Sequence, residues 1–512
     1  MLTSWQQVVA HLKKTGSSLA PSARLVQDSR QVRKGDVFVA IVGEALDGSR
    51  YIQSALDKNA SLILVSSRCG PEHYRTLPLG DTPLLVIDDL ENRLPAFAKA
   101  FYLEQEPQLP LIGITGTNGK TSISHMLAQL FEASTGKDLA VIGTMGTGSI
   151  HDLTDSANTT PGVTDVYRLL KSFRQDTQHE FACVAMEVSS HALEQNRVKG
   201  LAFDVAIFTN LTLDHLDYHG SMVAYFEAKA KLFTAYAPKY AVINLDDEYG
   251  RQLAARIDSQ PTKILAYGQS QAVLSVDQYV FVESFSCQPS GLEVNLRWQF
   301  AGQTGTSQLK LPLFGEFNCL NLAAVYATAL ALGWPITAAQ FSSLSSVPGR
   351  LELFTQPNLP IAVVDYAHTP DALEQSLKAV RAHLKGQLYL VFGCGGDRDA
   401  SKRPIMGMIA ERLADMVIVT NDNPRTEAPE AIAAQIQAGF ISPERHLCIL
   451  DRQAAIKAAL AKASAQDVVL IAGKGHETYQ IIGQTIIDYD ERAFTQATLE
   501  KMQADQSPPS GQ

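Results

Sequence analysis

The stretch L-I-G-I-T-G-T-N-G-K-T-S-I-S-H-M-L-A-Q-L-F-E-A-S, residues 111–134, joins an apolar strand to an amphipathic helix through a glycine-containing loop. Gly116 and Gly119 allow the backbone to turn tightly, so that successive N–H groups of the loop can face a phosphate. The start of the following helix adds the positive end of its dipole at the same point. The stretch therefore predicts a nucleotide-binding domain in which helices cover a parallel sheet.

The residues that end the loop supply the charge and the hydroxyl that a bound nucleotide needs. Lys120 can neutralise the β- and γ-phosphates, and Thr121 can bind Mg²⁺ through its hydroxyl. The strict pattern G-x-x-x-x-G-K-[ST] is not met, because Ile114 occupies its first glycine position, and a glycine turn that only caps a helix is the alternative. The residues predicted to contact the nucleotide are Gly116, Thr117, Asn118, Gly119, Lys120, Thr121 and Ser122.

The overall composition is that of a globular protein and argues against several classes. The chain has 512 residues, 46% of them hydrophobic, a length that favours about three domains. With 53 acidic and 43 basic residues the net charge is −10, which argues against a generally basic surface for nucleic acid. The six cysteines are scattered without a C-x-x-C pair, so we expect a reducing compartment. The sequence shows neither a signal peptide nor an apolar run of membrane-spanning length, and we expect a cytoplasmic protein without a membrane span.

Apolar runs separated by helical stretches divide the chain into three predicted domains, 1–106, 107–346 and 347–512. The first is a small α/β domain, and the second continues the parallel sheet that begins before the glycine loop. An alternating pattern within residues 272–312 indicates an added antiparallel sheet. The third domain has five apolar runs separated by helices. The predicted fold class is therefore α/β, with a central P-loop ATPase-type parallel sheet and a C-terminal Rossmann-like, doubly wound sheet.

Acidic residues and histidines follow two of the central strands. Glu187 ends the run F-A-C-V-A-M-E, and a carboxylate at this end of a strand, beside a phosphate loop, is well placed to hold Mg²⁺. A helix cap or an ion pair is the alternative role. The segment T-N-L-T-L-D-H-L-D-Y-H-G, residues 209–220, is a second candidate metal site, or else a polar loop. Its His215 and His219 have a spacing that zinc sites use, but no glutamate lies between them as in H-E-x-x-H.

The segment T-G-T-N-G-K-T resembles the ATP loop of the Mur ligases and of the related folylpolyglutamate synthases, both of which are ATP-dependent amide-forming enzymes. Other motifs extend the resemblance over nearly the whole chain. It implies ATP as a substrate, Mg²⁺ as a cofactor and a contribution of His215 to a second Mg²⁺ site. The implied catalytic residues are Lys120, Glu187, His215 and Lys229. The implied metal ligands are Thr121, Glu187, His215 and a carbamylated Lys229.

The resemblance changes the interpretation of Lys229. By its position on the predicted helix Y-F-E-A-K-A-K-L-F, residues 225–233, it would be a lysine on a solvated face. The resemblance implies instead that CO₂ carbamylates this lysine, with Lys231 as the alternative. A carbamate carries anionic oxygens that can bind Mg²⁺, whereas an ammonium cannot.

Further motifs resemble the parts of the family that meet the adenosine and the hinge. Asn318 lies in G-E-F-N-C-L-N-L-A-A, and an asparagine amide offers a donor and an acceptor to an adenine edge. Arg350, in G-R-L-E, could reach the ATP phosphates. Asp365 and His368, in D-Y-A-H-T-P-D, resemble the segment that meets ATP. A helix cap or a turn is the alternative for each motif.

Two sets of residues resemble the substrate sites of the diaminopimelate-adding subgroup of the family. Ser29, in D-S-R, and the segment 43–48 resemble its uridine-nucleotide segments. The residues that resemble its muramoyl-dipeptide site are Asn158, Thr159, Thr160, Ser189, Gln195 and Arg197. The resemblance thus implies UDP-MurNAc-L-Ala-D-Glu, an anionic substrate that hydroxyls and an arginine suit.

Three loops of the C-terminal domain follow predicted strands and should meet at one edge of the sheet. Arginines there can hold a carboxylate in two hydrogen bonds, and a glutamate can take an ammonium. In the family, D-N-P-R accompanies meso-diaminopimelate, and lysine-adding members lack the arginine, so Arg425 is the sharpest predictor of the amino acid; a surface ion pair is its alternative. The residues of this predicted site are Arg398, Asp422, Asn423, Pro424, Arg425, Gly473 and Glu477. The segment 488–492 only loosely resembles the family's ending and is assigned no role.

The resemblance therefore implies an amide ligase with three small-molecule substrates, namely ATP, UDP-MurNAc-L-Ala-D-Glu and meso-diaminopimelate. We expect a monomer that binds no nucleic acid. Two kinds of rival remain open: another Mur ligase or a folylpolyglutamate synthase, and a P-loop NTPase or binding protein without ligase activity. A degenerate structural relative is disfavoured, because Lys120, Thr121, Glu187, His215 and Lys229 are all present.

Overall fold

The computed structural model describes residues 2–43, 46–103, 108–257 and 261–506, without the side chains of Leu216, Asp217 and Gln506. The chain forms two compact units, each described here by itself. The first consists of Met1–Ile243 and Asp247–Ile264, and the second of Asn244–Asp246 and Leu265–Gln512. The predicted domain boundary at 106/107 lies outside the described residues, as does part of the substrate segment 43–48.

The N-terminal part of the first unit is a small α/β domain, as predicted. Its strands are β1 (Leu25–Val26), β2 (Val37–Ala40), β3 (Leu62–Ser66) and β4 (Leu84–Ile87), and its helices are α1 (Trp5–Thr15), α2 (Ile52–Asp57) and α3 (Leu90–Tyr102). The strands form a parallel sheet in the order β1-β2-β3-β4. Apolar side chains of β2 and β3 are fully buried, which explains why both read as continuous apolar runs. The two-residue β1 gave no such signal.

The rest of the first unit is built on a larger sheet around the glycine loop. Its strands are β5 (Leu111–Thr115), β6 (Asp138–Gly143), β7 (Gly146–Ser149), β8 (Asp152–Thr154), β9 (Phe181–Glu187), β10 (Val205–Phe208) and β11 (Tyr240–Asn244). Its helices are α4 (Lys120–Thr135), α5 (Val163–Gln175), α6 (Ser190–Glu194), α7 (Leu216–His219), α8 (Met222–Thr234) and α9 (Glu248–Ile257). The strand order is β11-β10-β5-β9-β6-β7-β8, with β5 near the centre. All neighbours among β5, β6, β9, β10 and β11 are parallel, and β7 pairs antiparallel with β6 and with β8.

The strand, loop and helix predicted at residues 111–134 are confirmed as β5, the glycine loop and α4. Gly116 has φ +146°, and a Cβ there would lie 1.8 Å from Thr209 Oγ1. Gly119, with φ +86°, precedes the first residue of α4. The two glycines are therefore required by close backbone packing and by a left-handed turn.

The second unit begins with a mixed sheet, in which β12 pairs parallel with β13, and a buried helix. The strands are β12 (Lys263–Gly268), β13 (Tyr279–Gln288), β14 (Gly291–Phe300) and β15 (Gln303–Leu311), followed by the helices α10 (Phe317–Leu332) and α11 (Ala338–Phe341). β13, β14 and β15 pair antiparallel in sequence order, as the alternating pattern predicted. α10 is buried on most of its circumference, in keeping with its apolar sequence.

A six-stranded sheet in the order β16-β17-β21-β18-β19-β20 forms the C-terminal part of the second unit. Its elements are β16 (Glu352–Phe354), β17 (Ile361–Asp365), α12 (Pro370–Arg381), β18 (Leu388–Phe392), α13 (Lys402–Leu413), β19 (Met416–Val419), α14 (Pro429–Gln437), β20 (Leu447–Cys448), α15 (Arg452–Lys462) and β21 (Val468–Ala472). After them come the hairpin β22 (Tyr479–Ile482) and β23 (Thr485–Asp488) and the last helix α16 (Glu491–Gln506). The five predicted strands are parallel, and β16 adds an antiparallel edge that was not predicted.

Apolar clusters lie on both faces of this sheet, so the doubly wound prediction is confirmed. One cluster includes Leu373 and Met406, from α12 and α13. The other includes Ile456 and Leu499, from α15 and α16. Among the helices of the described ranges, none is both long and apolar enough to cross a membrane.

His125, in α4, gives the first unit a predictable pH dependence. It is 3% exposed, and burial lowers the pKa of its imidazole from 6.5 to about 4. The unfolded chain binds this proton at a higher pH than the folded chain, so stability falls as the pH drops from about 6.5 to about 4. We expect His125→Leu to remove this contribution, about 3 kcal/mol at pH 4, from urea midpoints measured against pH. The exposed His151, replaced by Leu, should keep the wild-type slope, and an unchanged slope in the His125 variant would contradict the assignment.

Candidate active site

The glycine loop holds two lysines against one backbone carbonyl. Lys120 Nζ donates to the carbonyl oxygens of Gly116, at 2.9 Å, and Thr117, at 2.8 Å. Lys229 Nζ donates to the same Gly116 carbonyl at 2.9 Å. Burial lowers the pKa of Lys120, while the negative charges of Glu187 and Asp214 oppose that shift. The loop thus concentrates positive charge where a nucleotide phosphate would be bound.

Lys229 does not lie on a solvated face, so that interpretation of its helix is wrong. Its side chain is buried, and only 1% of the residue is exposed. Burial lowers the pKa of Lys229 well below its ordinary value, and the charge of Lys120 lowers it further. Lys231, by contrast, is paired with Glu194 at 2.8 Å on the surface of α8. Of the two lysines, only Lys229 reaches the glycine loop.

Glu187 lies at the end of β9 and is 1% exposed. Its carboxylate accepts hydrogen bonds from the Thr144 amide at 3.1 Å, from the Thr144 hydroxyl at 3.2 Å and from the Thr121 side chain. Burial raises the pKa of Glu187, and Lys120 and the two threonines counteract this. The structure thus brings the predicted ligands Thr121 and Glu187 into direct contact, and both are oxygen donors of the kind that Mg²⁺ prefers.

His215 lies in a group of aromatic side chains beside Lys229. Its ring centroid is 6.0 Å from that of Tyr225, and Lys229 Nζ is 4.6 Å from the Tyr225 ring. His219 is directed to the Ser190 hydroxyl, at 2.9 Å from Nε2. Within the described ranges, no group of three or more His, Cys, Asp and Glu is placed to hold a metal ion.

Residues predicted to bind the dipeptide substrate form a connected group at the end of β9. The Thr160 hydroxyl donates to the Glu187 carbonyl at 2.8 Å and accepts from the Ser189 amide at 3.1 Å. The Arg197 guanidinium donates to the Thr160 carbonyl at 2.8 Å and to Gln195 Oε1 at 2.6 Å. Burial lowers the pKa of Arg197.

Three more of the predicted substrate residues lie in turns. The Thr159 hydroxyl is 3.0 Å from the hydroxyl of Thr144, which also contacts Glu187. The Asn158 carbonyl accepts from Ser156 at 2.7 Å. Ser29 is buried in a turn of the N-terminal domain, where Lys58 Nζ donates to its carbonyl at 2.9 Å. For these three residues, contact with the substrate stays a prediction.

In the second unit, two residues predicted to bind ATP are engaged within the protein. Asn318 Nδ2 donates to the Phe314 carbonyl at 2.8 Å, and Asn318 Oδ1 accepts from Asn321 at 2.9 Å, so the amide closes the turn before α10. The Asp365 carboxylate accepts from the Leu351 amide at 3.0 Å and from Ser376 at 2.6 Å. Both side chains are 6% exposed. Each of the two side chains therefore braces the loop that carries it, and its contact with ATP stays a prediction.

Arg350 and His368 are exposed, whereas Asn318 and Asp365 are buried. The Arg350 guanidinium lies over the Tyr366 ring, 4.9 Å from its centroid, and the His368 ring lies 4.7 Å from the same ring. Gly349, before Arg350, has φ +68°, and a Cβ there would lie 2.2 Å from the His476 amide. The Gly349 amide donates to Glu352, which is paired with Arg492.

The structure confirms that the three C-terminal loops meet at one edge of the sheet. They follow β18, β19 and β21, which are neighbours. The Gly396 amide donates to the Asn423 carbonyl at 2.9 Å, and Arg425 Nη1 donates to the Gly396 carbonyl at 2.8 Å. Asn423 Nδ2 donates to Glu477 Oε2 at 3.1 Å. Arg398 is exposed at the rim of this group.

Arg425 is held by the hairpin β22–β23, an element that was not predicted. Its backbone is left-handed, with φ +51°. The Arg425 amide donates to the Ile481 carbonyl at 3.1 Å, and the Gly483 amide donates to the Arg425 carbonyl at 2.7 Å. Gln480 donates to the carbonyl of Asp422 at 2.7 Å. These hydrogen bonds therefore fix the backbone of the D-N-P-R segment against the hairpin.

Two ion pairs of buried arginines beside these loops were not predicted. Arg403, fully buried, pairs with Glu427 at 2.8 Å and donates to the Gly395 carbonyl at 3.1 Å. Arg452 pairs with Glu491 and donates to the carbonyls of Asn421, at 3.0 Å, and Ala472, at 2.9 Å. Glu491 belongs to the segment 488–492, so the absence of a role for that segment is corrected. Through Arg452, Glu491 is linked to the ends of β19 and β21, the two strands that lead into the site.

The comparison with known proteins agrees with this arrangement. The models described as "Mur ligase family, catalytic domain", "Mur ligase middle domain" and "Mur ligase, glutamate ligase domain" match residues 24–102, 114–329 and 349–475. The chain belongs to the Mur ligase family. Like the other members of this family, it is an ATP-dependent, amide-forming ligase.

Several relatives within the Mur ligase family share one name. A protein of Haemophilus influenzae strain PittEE named UDP-N-acetylmuramoyl-L-alanyl-D-glutamate–2,6-diaminopimelate ligase is 42% identical over 91% of this chain and 94% of its own. One of that name from Pseudomonas aeruginosa is 44% identical over 90% and 91%. A solved structure with that name aligns with a TM-score of 0.72 at 34% identity, covering 98% of this chain and 99% of the other. A Mur ligase structure from Acinetobacter baumannii, 18% identical with a TM-score of 0.60 over 98% of both chains, shares the fold.

Gly395 and Gly396 lie in the loop after β18, one of the three loops of the predicted amino-acid site, and they provide a test of how this loop packs. A Cβ at Gly396 would lie 1.9 Å from the Pro424 carbonyl oxygen, whereas one at Gly395 would meet first Arg425 Nη1, at 2.9 Å, which can move. We expect Gly396→Ala to destabilise the protein by about 1–3 kcal/mol, because two backbones must separate. Gly395→Ala should be nearly neutral for stability. Thermal unfolding of both variants measures this, and equal midpoints for the two would contradict it.

Proposed function

We propose that the chain joins meso-diaminopimelate to the D-glutamyl carboxylate of UDP-MurNAc-L-Ala-D-Glu at the expense of ATP, in the synthesis of peptidoglycan precursors. The observation that carries the proposal is the loop arrangement around Arg425. Asn423, from D-N-P-R (residues 422–425), donates to Glu477, from G-K-G-H-E (residues 473–477), and the Arg425 guanidinium is bonded to the neighbouring loop at Gly396. The relatives with 42–44% identity carry the corresponding name.

The reaction has two steps that this site can support. In the first, an oxygen of the D-glutamyl carboxylate attacks the γ-phosphorus of ATP, ADP leaves, and an acyl phosphate forms. In the second, an amine of diaminopimelate attacks the acyl carbon, inorganic phosphate leaves with its electron pair, and the amine loses a proton. No covalent bond to the protein is required.

The residues of the glycine loop would act in the first step. The loop amides and the N-terminus of α4 bind phosphate oxygens, and the Lys120 ammonium offsets the negative charge that gathers on the transferred group. Thr121, Glu187, His215 and a carbamylated Lys229 would hold Mg²⁺, which when bound neutralises phosphate charge. Arg197, with Thr160 and Ser189 beside Glu187, would orient the dipeptide carboxylate. We assign Asn318, Arg350, Asp365 and His368 to the adenosine and phosphate side of the ATP site.

The amino-acid site would recognise the end of diaminopimelate that does not react. Arg425 supplies two parallel donors for its carboxylate, and Glu477 accepts from its ammonium. Lysine has an ammonium at that end but no carboxylate, so it leaves Arg425 without a ligand. Arg398 lies at the rim, where it can contact the same carboxylate.

Organisation and location are part of the proposal. The domain bounds 1–106, 107–346 and 347–512 each contain one of the family matches. We propose a monomer that works in the cytoplasm, where its three substrates are small molecules.

Amino-acid selectivity tests the proposed function. We expect phosphate release and tripeptide formation from ATP and UDP-MurNAc-L-Ala-D-Glu with meso-diaminopimelate and not with L-lysine. Arg425→Ala should lower kcat/KM for diaminopimelate by about 100-fold or more, because the carboxylate loses a charged, two-donor partner. The exposed Arg445, replaced by Ala, serves as the matched control and should be neutral. A preference for lysine in the wild type would keep the ligase but reject the role of Arg425.

Carbamylation of Lys229 can be observed directly. Its buried amine, with a pKa well below the ordinary value, has a larger neutral fraction than a surface lysine, and the neutral amine is the form that adds to CO₂. With ¹³C-bicarbonate we expect one carbamate carbon signal in NMR spectra of the wild type and of Lys231→Met, and none in Lys229→Met. Depletion of CO₂ should lower activity in step with the signal. A signal that persists in Lys229→Met would place the modification elsewhere.

A further inference from the structure

Lys474 is buried inside the proposed amino-acid site, where no role was assigned to it. It follows β21 directly after Gly473 and is 0% exposed. Its Nζ lies 3.1 Å from Asn423 Oδ1 and 3.0 Å from Glu477 Oε2, and 5.5 Å from the centroid of the Tyr479 ring. Removing an ammonium from water costs several kcal/mol, and a buried ion pair is weak evidence for added stability. The burial therefore calls for a reason beyond folding.

The ammonium of Lys474 sets the orientation of the Asn423 amide. Asn423 is 3% exposed. Its Oδ1 accepts from Lys474 Nζ and from the Ile481 amide, the latter at 2.9 Å. Two donors on one side require the oxygen there, so Nδ2 must point to the other side, where it donates to Glu477 Oε2 at 3.1 Å. Without Lys474, one of these two constraints on the amide is lost.

The same ammonium restricts Glu477. Both Lys474 and Asn423 contact Oε2, so Oε1 is the oxygen that this arrangement leaves for an incoming ammonium. The positive charge of Lys474 also offsets the negative charge of Glu477. A ligand that brings only an ammonium therefore gains less at this carboxylate than it would at an isolated one. A ligand that also brings a carboxylate gains a second contact at Arg425.

We propose that Lys474 is a positioning residue for the incoming amino acid: it locks Asn423 and Glu477 into one hydrogen-bonded unit and helps to select an ammonium that is accompanied by a carboxylate. This inference rests on the proposed function. Lys474 acts through Glu477 and Asn423 and makes no contact with the reacting atoms. Its effect should therefore fall on the binding of the amino acid and on selectivity, and leave the phosphate chemistry unchanged.

Steady-state kinetics of Lys474→Met tests this role, because methionine has a similar length and no charge. We expect KM for diaminopimelate to rise by about 10-fold to 100-fold, as for the loss of hydrogen bonds to a charged group. The ratio of kcat/KM for diaminopimelate to that for L-lysine should fall. KM for ATP and for the UDP substrate should stay within about twofold. Lys457→Met, which removes the exposed lysine over the Phe494 ring, is the matched control and should leave all four values unchanged.

A double-mutant cycle with Glu477→Gln separates positioning from mere folding. Because Lys474 acts through Glu477, to which the Asn423 amide also donates, Lys474→Met/Glu477→Gln should raise the KM for diaminopimelate by clearly less than the product of the two single effects. The double variant also buries no unpaired carboxylate, so it provides the measurement if Lys474→Met alone does not fold. Multiplying effects on KM, or an unchanged KM and selectivity in Lys474→Met, would overturn the inference. A wild type that does not use diaminopimelate would reject the proposed function itself, a result distinct from either.

Discussion

The carbonyl oxygen of Gly116 accepts hydrogen bonds from two lysine side chains, and this shared acceptor is the constraint around which the first unit is arranged. Two ammonium groups so close together repel each other, and burial makes the repulsion more costly. The arrangement is tolerable because the carboxylates of Glu187 and Asp214 lie nearby. An anionic ligand, or the conversion of one lysine into an anion, relieves the repulsion. The loop is therefore stable in a form that favours the arrival of phosphate.

In the second unit, three loops are held in place at the carboxyl end of a sheet. Arg403 and Arg452 each bind backbone carbonyls of the segments that lead into the site, and each is neutralised by a glutamate behind it. Both arginines are buried; Arg403 lies eight residues from Gly395, whereas Arg452 lies 31 and 20 residues from the two carbonyls that it binds. They explain how exposed residues such as Arg398 can be presented on loops with a well-defined course.

Much of this arrangement is visible in the sequence, for identifiable reasons. Buried parallel strands read as continuous apolar runs, and polar residues at their carboxyl ends fall together once the sheet forms, so the pattern predicts the place of Glu187 and of the D-N-P-R segment. The role of D-N-P-R came from the family resemblance. The strands β1 and β16 are too short to show a pattern, and the hairpin β22–β23 has exposed isoleucines without a buried face to mark it. Pairs such as Arg452 with Glu491 join residues 39 apart, and no local period encodes such a contact.

The roles of single residues are harder to predict than the strands, since a side chain's surroundings decide its role. Lys229 lies in a helix whose local pattern fits a surface lysine, and only the fold shows that its ammonium is buried. Asn318 has the donor and the acceptor that suit an adenine edge, yet its amide closes a turn within the protein. In both cases the chemical type of the side chain was clear and its partner was not.

The loops that follow β18 and β19 are joined where they meet at Gly396. The lack of a side chain at Gly396 lets the two backbones touch, and the Arg425 guanidinium adds a hydrogen bond to the Gly396 carbonyl at the same point. Arg425, which would recognise the ligand, is therefore also part of the contact that holds the loops together. An exchange of Arg425 would remove a bond between the loops as well as the partner of the ligand, so a change of amino-acid specificity would need compensating changes in the surrounding contacts.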